Sequence, residues 1–208
     1  MVLADLITEI NGEDGRNEAE LRIAATHEAG HAVAALALGL ECEGLSLRAV
    51  NGRGGGMLSP VRTGYLSAAD VSDRLTMLMA GRAAEEVVLG KATSGAGGSI
   101  DSDLGAATMM AARSVAEFGL DSDHGLTWTP LPERPAGFAR WLADHPRLAA
   151  LVHDRLASAY AAAVTLLEGR RDLVEALADT LLARGAMDGG EAARVIRAGR
   201  KAVVRCAP

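Results

Sequence analysis

From Glu18 to Gly39, apolar residues recur at spacings of three and four: Leu21, Ala24, Ala25, Ala29, Ala32, Val33 and Leu36. That period predicts an amphipathic helix, with Gly39 as its stop. Leu45, Leu47 and Ala49 alternate with Ser46, Arg48 and Val50, which predicts a short strand over 45–50. The glycine-rich stretch 51–56 reads as a turn and 57–61 as a return strand. A second helix is expected over 68–89, opened by Ser67 or Asp70 and closed by Gly90. After a glycine-rich loop at 93–99, a third helix spans 102–118. The prolines at 130, 132 and 135 make 119–138 irregular. Three further helices are expected over roughly 146–168, 170–184 and 189–198, broken near Gly169 and across 185–190. The pattern is mainly α with a small β hairpin or sheet.

Composition narrows this picture. The 208 residues suffice for one sizeable domain or a domain with a small helical extension. Aromatics make up only 3%, so the core must be built from Ala, Leu and Val, which suits closely packed helices. A net charge of -6 argues against a nucleic-acid partner, since phosphate binding needs a basic footprint. The most apolar stretch near the front, 29–40, is too short for a bilayer, which needs about 20 residues. Residues 1–10 lack the features of a signal peptide. Two distant cysteines, Cys42 and Cys206, form no C-x-x-C pair and fit a reducing cytoplasm. No phosphate-binding G-x-x-x-x-G-K-[ST] loop occurs, so ATP hydrolysis is not expected of this chain.

The chemistry concentrates at Thr26-His27-Glu28-Ala29-Gly30-His31-Ala32, an H-E-x-x-H pattern. On a helix, residues i and i+4 share a face, so His27 and His31 can converge on one tetrahedral zinc ion. Glu28, at the edge of that face, is placed to act as general base on a water. Gly30 inside a helix costs about 1 kcal/mol against Ala, which makes sense where something approaches the backbone closely. A catalytic zinc site needs a third protein ligand. Spacing leaves two groups open: Glu85 and Glu86 on the second helix, and Asp101 and Asp103 at the entry of the third. His124 is expected to be a solvated loop histidine, with an approach to the site from the segment after the third helix as the alternative; His145 and His153 are not spaced for metal. Trp128 and Trp141 read as anchors of the irregular segment.

Four segments carry a resemblance to a known family: 26–32; Ala80-Gly-Arg-Ala-Ala-Glu-Glu86 with Gly90; Thr93-Ser-Gly-Ala96 with Ser102-Asp-Leu-Gly-Ala-Ala-Thr108; and Glu117-Phe-Gly-Leu120. In this order and spacing the chain resembles the peptidase domain of the FtsH family of ATP-dependent zinc metalloproteases. The resemblance implies a zincin-like peptidase domain with a C-terminal helical bundle. It implies one zinc ion per chain, held by His27, His31 and Asp103, with Glu28 as base. Glu85 then takes a supporting or helix-packing role and Glu86 a surface role. The loop 95–102 is longer than the family's usual form, but Leu104, Ala107 and Thr108 keep the register on Asp103.

The expected division is a flexible segment 1–17, a peptidase core 18–145 and a helical subdomain 146–208 packed on the core. The expected activity is cleavage of unfolded or flexible polypeptides in the cytoplasm. The family context adds self-association and an ATPase module, neither encoded by a motif here. A catalytically silent binding module and a metal-dependent hydrolase of a non-peptide substrate are the competing readings. The strand 45–50 is expected to offer an edge to an extended substrate beside the metal.

Overall fold

In the computed structural model, residues 15–47, 56–58, 65–132 and 135–206 are described. The expected turn at 51–55, and the parts of the expected strands at 48–50 and 59–61, lie outside the described residues, as do residues 1–14 of the expected N-terminal segment. Seven α-helices and three short strands are present among the described residues: α1 (Glu18–Ala37), β1 (Gly44–Ser46), β2 (Gly56–Leu58), α2 (Ala68–Leu89), α3 (Asp103–Ala116), α4 (Phe138–Asp144), α5 (Pro146–Glu168), α6 (Arg171–Arg184), β3 (Ala186–Asp188) and α7 (Gly189–Cys206). The fold is mainly α with a small antiparallel sheet, as the pattern predicts.

Local chemistry sets the helix ends. Asn17 caps α1 and Ser67 caps α2, each in a reciprocal capping box, with Glu20 and Asp70 reaching back to the cap. Ser102 caps α3 by accepting from the Gly105 amide. Gly39 and Gly90 follow α1 and α2 at φ +73°, a conformation that favours glycine. The Leu40 amide returns to the Ala35 carbonyl over this turn, which satisfies an otherwise orphaned acceptor.

The sheet differs from the expected hairpin. The strand order is β2-β1-β3, with Leu45 opposite Met57 on one side and Met187 on the other. β1 is therefore central, not an edge. The edge facing away from β1 belongs to β2. β3 lies in the stretch 185–190, where the sequence suggests only a break between helices. It forms because Gly185 reverses the chain after α6 and its carbonyl accepts from the Leu47 amide. α7 then runs on to Cys206, past the expected end near 198. The segment after α3 ends in the short helix α4. Trp141 there donates to the Pro130 carbonyl and stacks on Phe138 and His145, so it does anchor this segment. Trp128 does not: it is 67% exposed.

α1 and α2 form the most extensive helix–helix contact, α6 packs on α1, and α5 and α3 pack on α2. Ala25, Ala29, Ala32, Ala80, Ala83 and Ala84 are fully buried between them. Gly30 marks the closest approach. A Cβ there would meet the Ala84 Cβ at 2.4 Å and the Ala80 carbonyl oxygen at 2.6 Å. Gly30→Ala therefore sets two effects against each other. Helix propensity favours Ala by about 1 kcal/mol. Overpacking against backbone costs about 1–3 kcal/mol or more. Steric overlap wins, and chemical denaturation is expected to find the variant less stable than the parent. A more stable variant would contradict the close packing.

Candidate metal centre

His27, Glu28 and His31 lie in the middle of α1, all buried. Their helical spacing turns both imidazoles toward α2 and the start of α3. Gly81 of α2 makes the room: a Cβ there would stand 2.4 Å from His27 Nε2 and 2.5 Å from His31 Nε2. Ser102 starts α3 so that Asp103, its first residue, faces the two rings. The resulting triangle has edges of 2.9 Å (His27 Nε2 to Asp103 Oδ2), 3.1 Å (His27 Nε2 to His31 Nε2) and 3.4 Å (His31 Nε2 to Asp103 Oδ2). This is the one group of three potential metal ligands found among the described residues.

The hydrogen-bond inventory gives that triangle its meaning. His31 Nδ1 donates to the Met77 carbonyl at 2.8 Å, and a carbonyl can only accept. His27 Nδ1 lies 2.7 Å from Glu85 Oε1 and donates to it. With both Nδ1 atoms acting as donors, the neutral rings present bare lone pairs at Nε2. Two imidazole lone pairs and a carboxylate oxygen then converge with no donor among them. Such an arrangement demands a positive charge at its centre. A tetrahedral zinc ion with bonds of about 2.0–2.2 Å requires donor separations of about 3.3–3.6 Å; the His31–Asp103 edge meets this, and the two edges at His27 are a few tenths of an ångström shorter. The donor set of two nitrogens and one oxygen also suits zinc.

Without a metal ion, a proton on His27 Nε2 shared with Asp103 meets the same demand. Burial alone would lower the His27 pKa, but the hydrogen bonds to Asp103 and Glu85 and the charge of Glu28 outweigh it and raise it to about 10. Burial would raise Asp103, yet the two imidazoles hold it well below the usual carboxylate range. Glu28 goes the other way: burial pushes its carboxyl up, and the imidazoles and the Met57 amide pull it back only in part. A carboxylate with raised proton affinity is suited to accept a proton near neutrality.

Glu85 is fully buried and divides its carboxylate between two partners. Oε1 takes the His27 Nδ1 proton, and Oε2 takes the Thr93 amide at 2.6 Å. These bonds offset its burial and keep it ionised. The residue thus sits behind the ring, away from the triangle, and ties His27 to the loop that leads to Asp103. Asp101 lines the same cavity but is outside the triangle. Glu86 is exposed and accepts from the Tyr160 hydroxyl. His124 does not line the cavity. It is half-buried and not fully solvated as expected, and its Nε2 is enclosed without a partner among the described residues. His145 stacks on Trp141, and His153 is exposed. Gly81 carries no expectation from the sequence, although a glycine inside a helix has the same propensity cost as Gly30.

The triangle opens into a cavity of about 700 Å³. Gly56 and Met57 of β2 form one wall, and Ile23, Met77 and Met110 supply much of its apolar surface.

Comparison with known proteins gives the same direction. Residues 16–195 match the model of peptidase family M41. The chain is 32% identical over 191 residues to the ATP-dependent zinc metalloprotease FtsH 3 of Symbiobacterium thermophilum, a match covering 84% of this chain and 29% of that protein. It is 38% identical over 173 residues to FtsH 1 of the same organism, covering 81% and 27%. It is also 32% identical over 184 residues to the FtsH of Thermus thermophilus, covering 84% and 29%. The chain therefore spans less than a third of the length of these relatives.

The Glu85 contacts yield a prediction. In Glu85→Gln, the ring keeps an acceptor but loses its anionic partner. Zinc affinity, measured by competition with a chromogenic chelator, is expected to fall about 10- to 100-fold with little change in helix content. Undiminished affinity would mean that the Glu85–His27 contact does not orient the ring.

Proposed function

The chain belongs to peptidase family M41, as a peptidase domain of the FtsH type, and on that premise we propose that it is a zinc-dependent endopeptidase. His27, His31 and Asp103 hold one zinc ion and Glu28 is the general base. The convergence of three lone-pair donors beside a buried carboxylate, at the base of an open cavity, is the observation that supports this most strongly. Zinc bound there supplies Lewis acidity to the scissile carbonyl and to the attacking water.

Each residue then has a separate task. Glu28 takes the proton of the attacking water and passes it to the departing amine nitrogen, a cycle its raised proton affinity favours. Glu85 and the Met77 carbonyl hold the two rings in the tautomer that leaves Nε2 unprotonated. β2 takes the role first expected of β1. It has β1 on one side, no partner strand among the described residues on the other, and lines the cavity. An extended polypeptide paired along this edge is held through its backbone, without a demanding sequence requirement. Such pairing requires an unfolded or flexible substrate.

The relatives carry the description ATP-dependent, and this chain covers only part of their length. We assign substrate unfolding to an ATPase module, joined or separate, and self-association to the assembled protein. No described helix is long and apolar enough to cross a membrane. The half-buried free thiol of Cys42 fits a cytoplasmic setting.

Zinc content and casein cleavage, compared between the wild type and Glu28→Gln, test the reading. Both proteins are expected to hold one zinc per chain. Only the wild type is expected to cleave, with a loss of about 10²-fold or more in the variant. A zinc-loaded wild type that leaves casein intact contradicts the assignment, and so does a variant that cleaves normally.

A further inference from the structure

Arg74, Leu78 and Glu85 of α2 line the cavity, and Gly81 lies on the same face, at successive offsets of four, three and four residues. Gly81 lies against the imidazoles and Glu85 bonds to one of them. Arg74 is two turns earlier, half-buried, and it is the only Arg or Lys among the described residues of the lining. It forms no ion pair or hydrogen bond among the described residues. The cavity's carboxylates are committed elsewhere: Glu28 is buried beside the imidazoles and accepts from the Met57 amide. Glu20 serves the Asn17 capping box, Glu85 bonds His27 and Thr93, and Asp103 faces the two rings. Asp101 is engaged as well.

A half-buried guanidinium without a partner gives up part of its hydration and receives no protein acceptor in return. Its planar fork matches a carboxylate. Given the peptidase reading, we infer that Arg74 is a specificity-determining residue that binds a substrate carboxylate. The distance along α2 fixes where that carboxylate belongs. Seven residues at 1.5 Å each separate Arg74 from Gly81 by about 10 Å. An extended peptide covers about 3.3 Å per residue, so the bound carboxylate lies two or three residues from the scissile bond. It is supplied by an Asp or Glu side chain, or by the C-terminus of a peptide that ends there.

Glu28→Gln loaded with zinc provides a non-cleaving protein for binding. Labelled neutral peptides carrying one Glu, or its Gln isostere, at each of three positions on either side of the bond are titrated by fluorescence anisotropy. A second set ends two or three residues beyond the bond as free acid or amide. One Glu position, or one free-acid terminus, is expected to bind about tenfold tighter than its neutral counterpart, and wild type should show the same factor in KM. A Glu position identifies a side chain; a free acid identifies the terminus. Arg74→Gln should bring the ratio close to one, Arg74→Glu should invert it, and Arg74→Lys should keep part of it. Equal binding of every pair overturns the assignment, as does a preference that survives in Arg74→Gln. Wild type that cleaves these peptides without preference overturns the assignment alone. Zinc-loaded wild type that cleaves none of them overturns the peptidase reading as well.

Discussion

The close approach of α1 and α2 is the constraint from which the rest of the structure follows. It is made possible by residues with almost no side chain. Gly30 lets α1 rest on the Ala80 carbonyl and the Ala84 methyl, and Gly81 lets α2 pass directly beneath the two imidazoles. The alanines around them are buried completely. With larger side chains the helices would separate. The His31 ring would lose the Met77 carbonyl and His27 would lose Glu85. Core packing and site geometry are therefore one property of this helix pair. The low aromatic content of the chain follows from the same need for thin helices.

This arrangement buries a dense set of ionisable groups: two histidines and two glutamates are nearly inaccessible, with Asp103 beside them. Burying charge is costly unless each group has a partner. Glu85 is satisfied by an imidazole and an amide, and the Nδ1 atoms are satisfied by Glu85 and Met77. What stays unmatched is the meeting point of the Nε2 lone pairs and the Asp103 carboxylate. A divalent cation resolves that excess of acceptors. It would also offset the negative charge of Asp103 and of the buried Glu28. The site is thus organised around a positive charge, which a proton on His27 supplies when no metal is bound.

The legibility of these features follows their range along the chain. The helices are readable because a 3.6-residue period, capping residues and glycine stops are local. The His27, Glu28 and His31 pattern is readable for the same reason. Asp103 lies 76 residues from His27, and its proximity depends on how α2 and α3 pack. Spacing leaves it level with Asp101 and Glu85, and only the family resemblance singles it out. The role of Glu85 is hidden because the sequence does not say which face of α2 meets α1. β3 is hidden because three residues with one buried apolar position carry no strand period, and its partner lies about 140 residues earlier. That unseen strand makes β1 central and leaves β2 as the edge strand that lines the cavity. Arg74 is silent for another reason: a single cation on a helix looks like a solvated surface residue until the cavity beside it is known.

The central claim is that three side chains from two distant segments hold one zinc ion. Diffraction at the zinc absorption edge from the zinc-loaded protein tests it most directly. The account predicts a single strong anomalous peak per chain, within about 2.0–2.2 Å of His27 Nε2, His31 Nε2 and an Asp103 carboxylate oxygen, with Glu85 still on His27 Nδ1. No peak at this position, or a zinc ion ligated by Glu85 or Asp101 in place of Asp103, would contradict it.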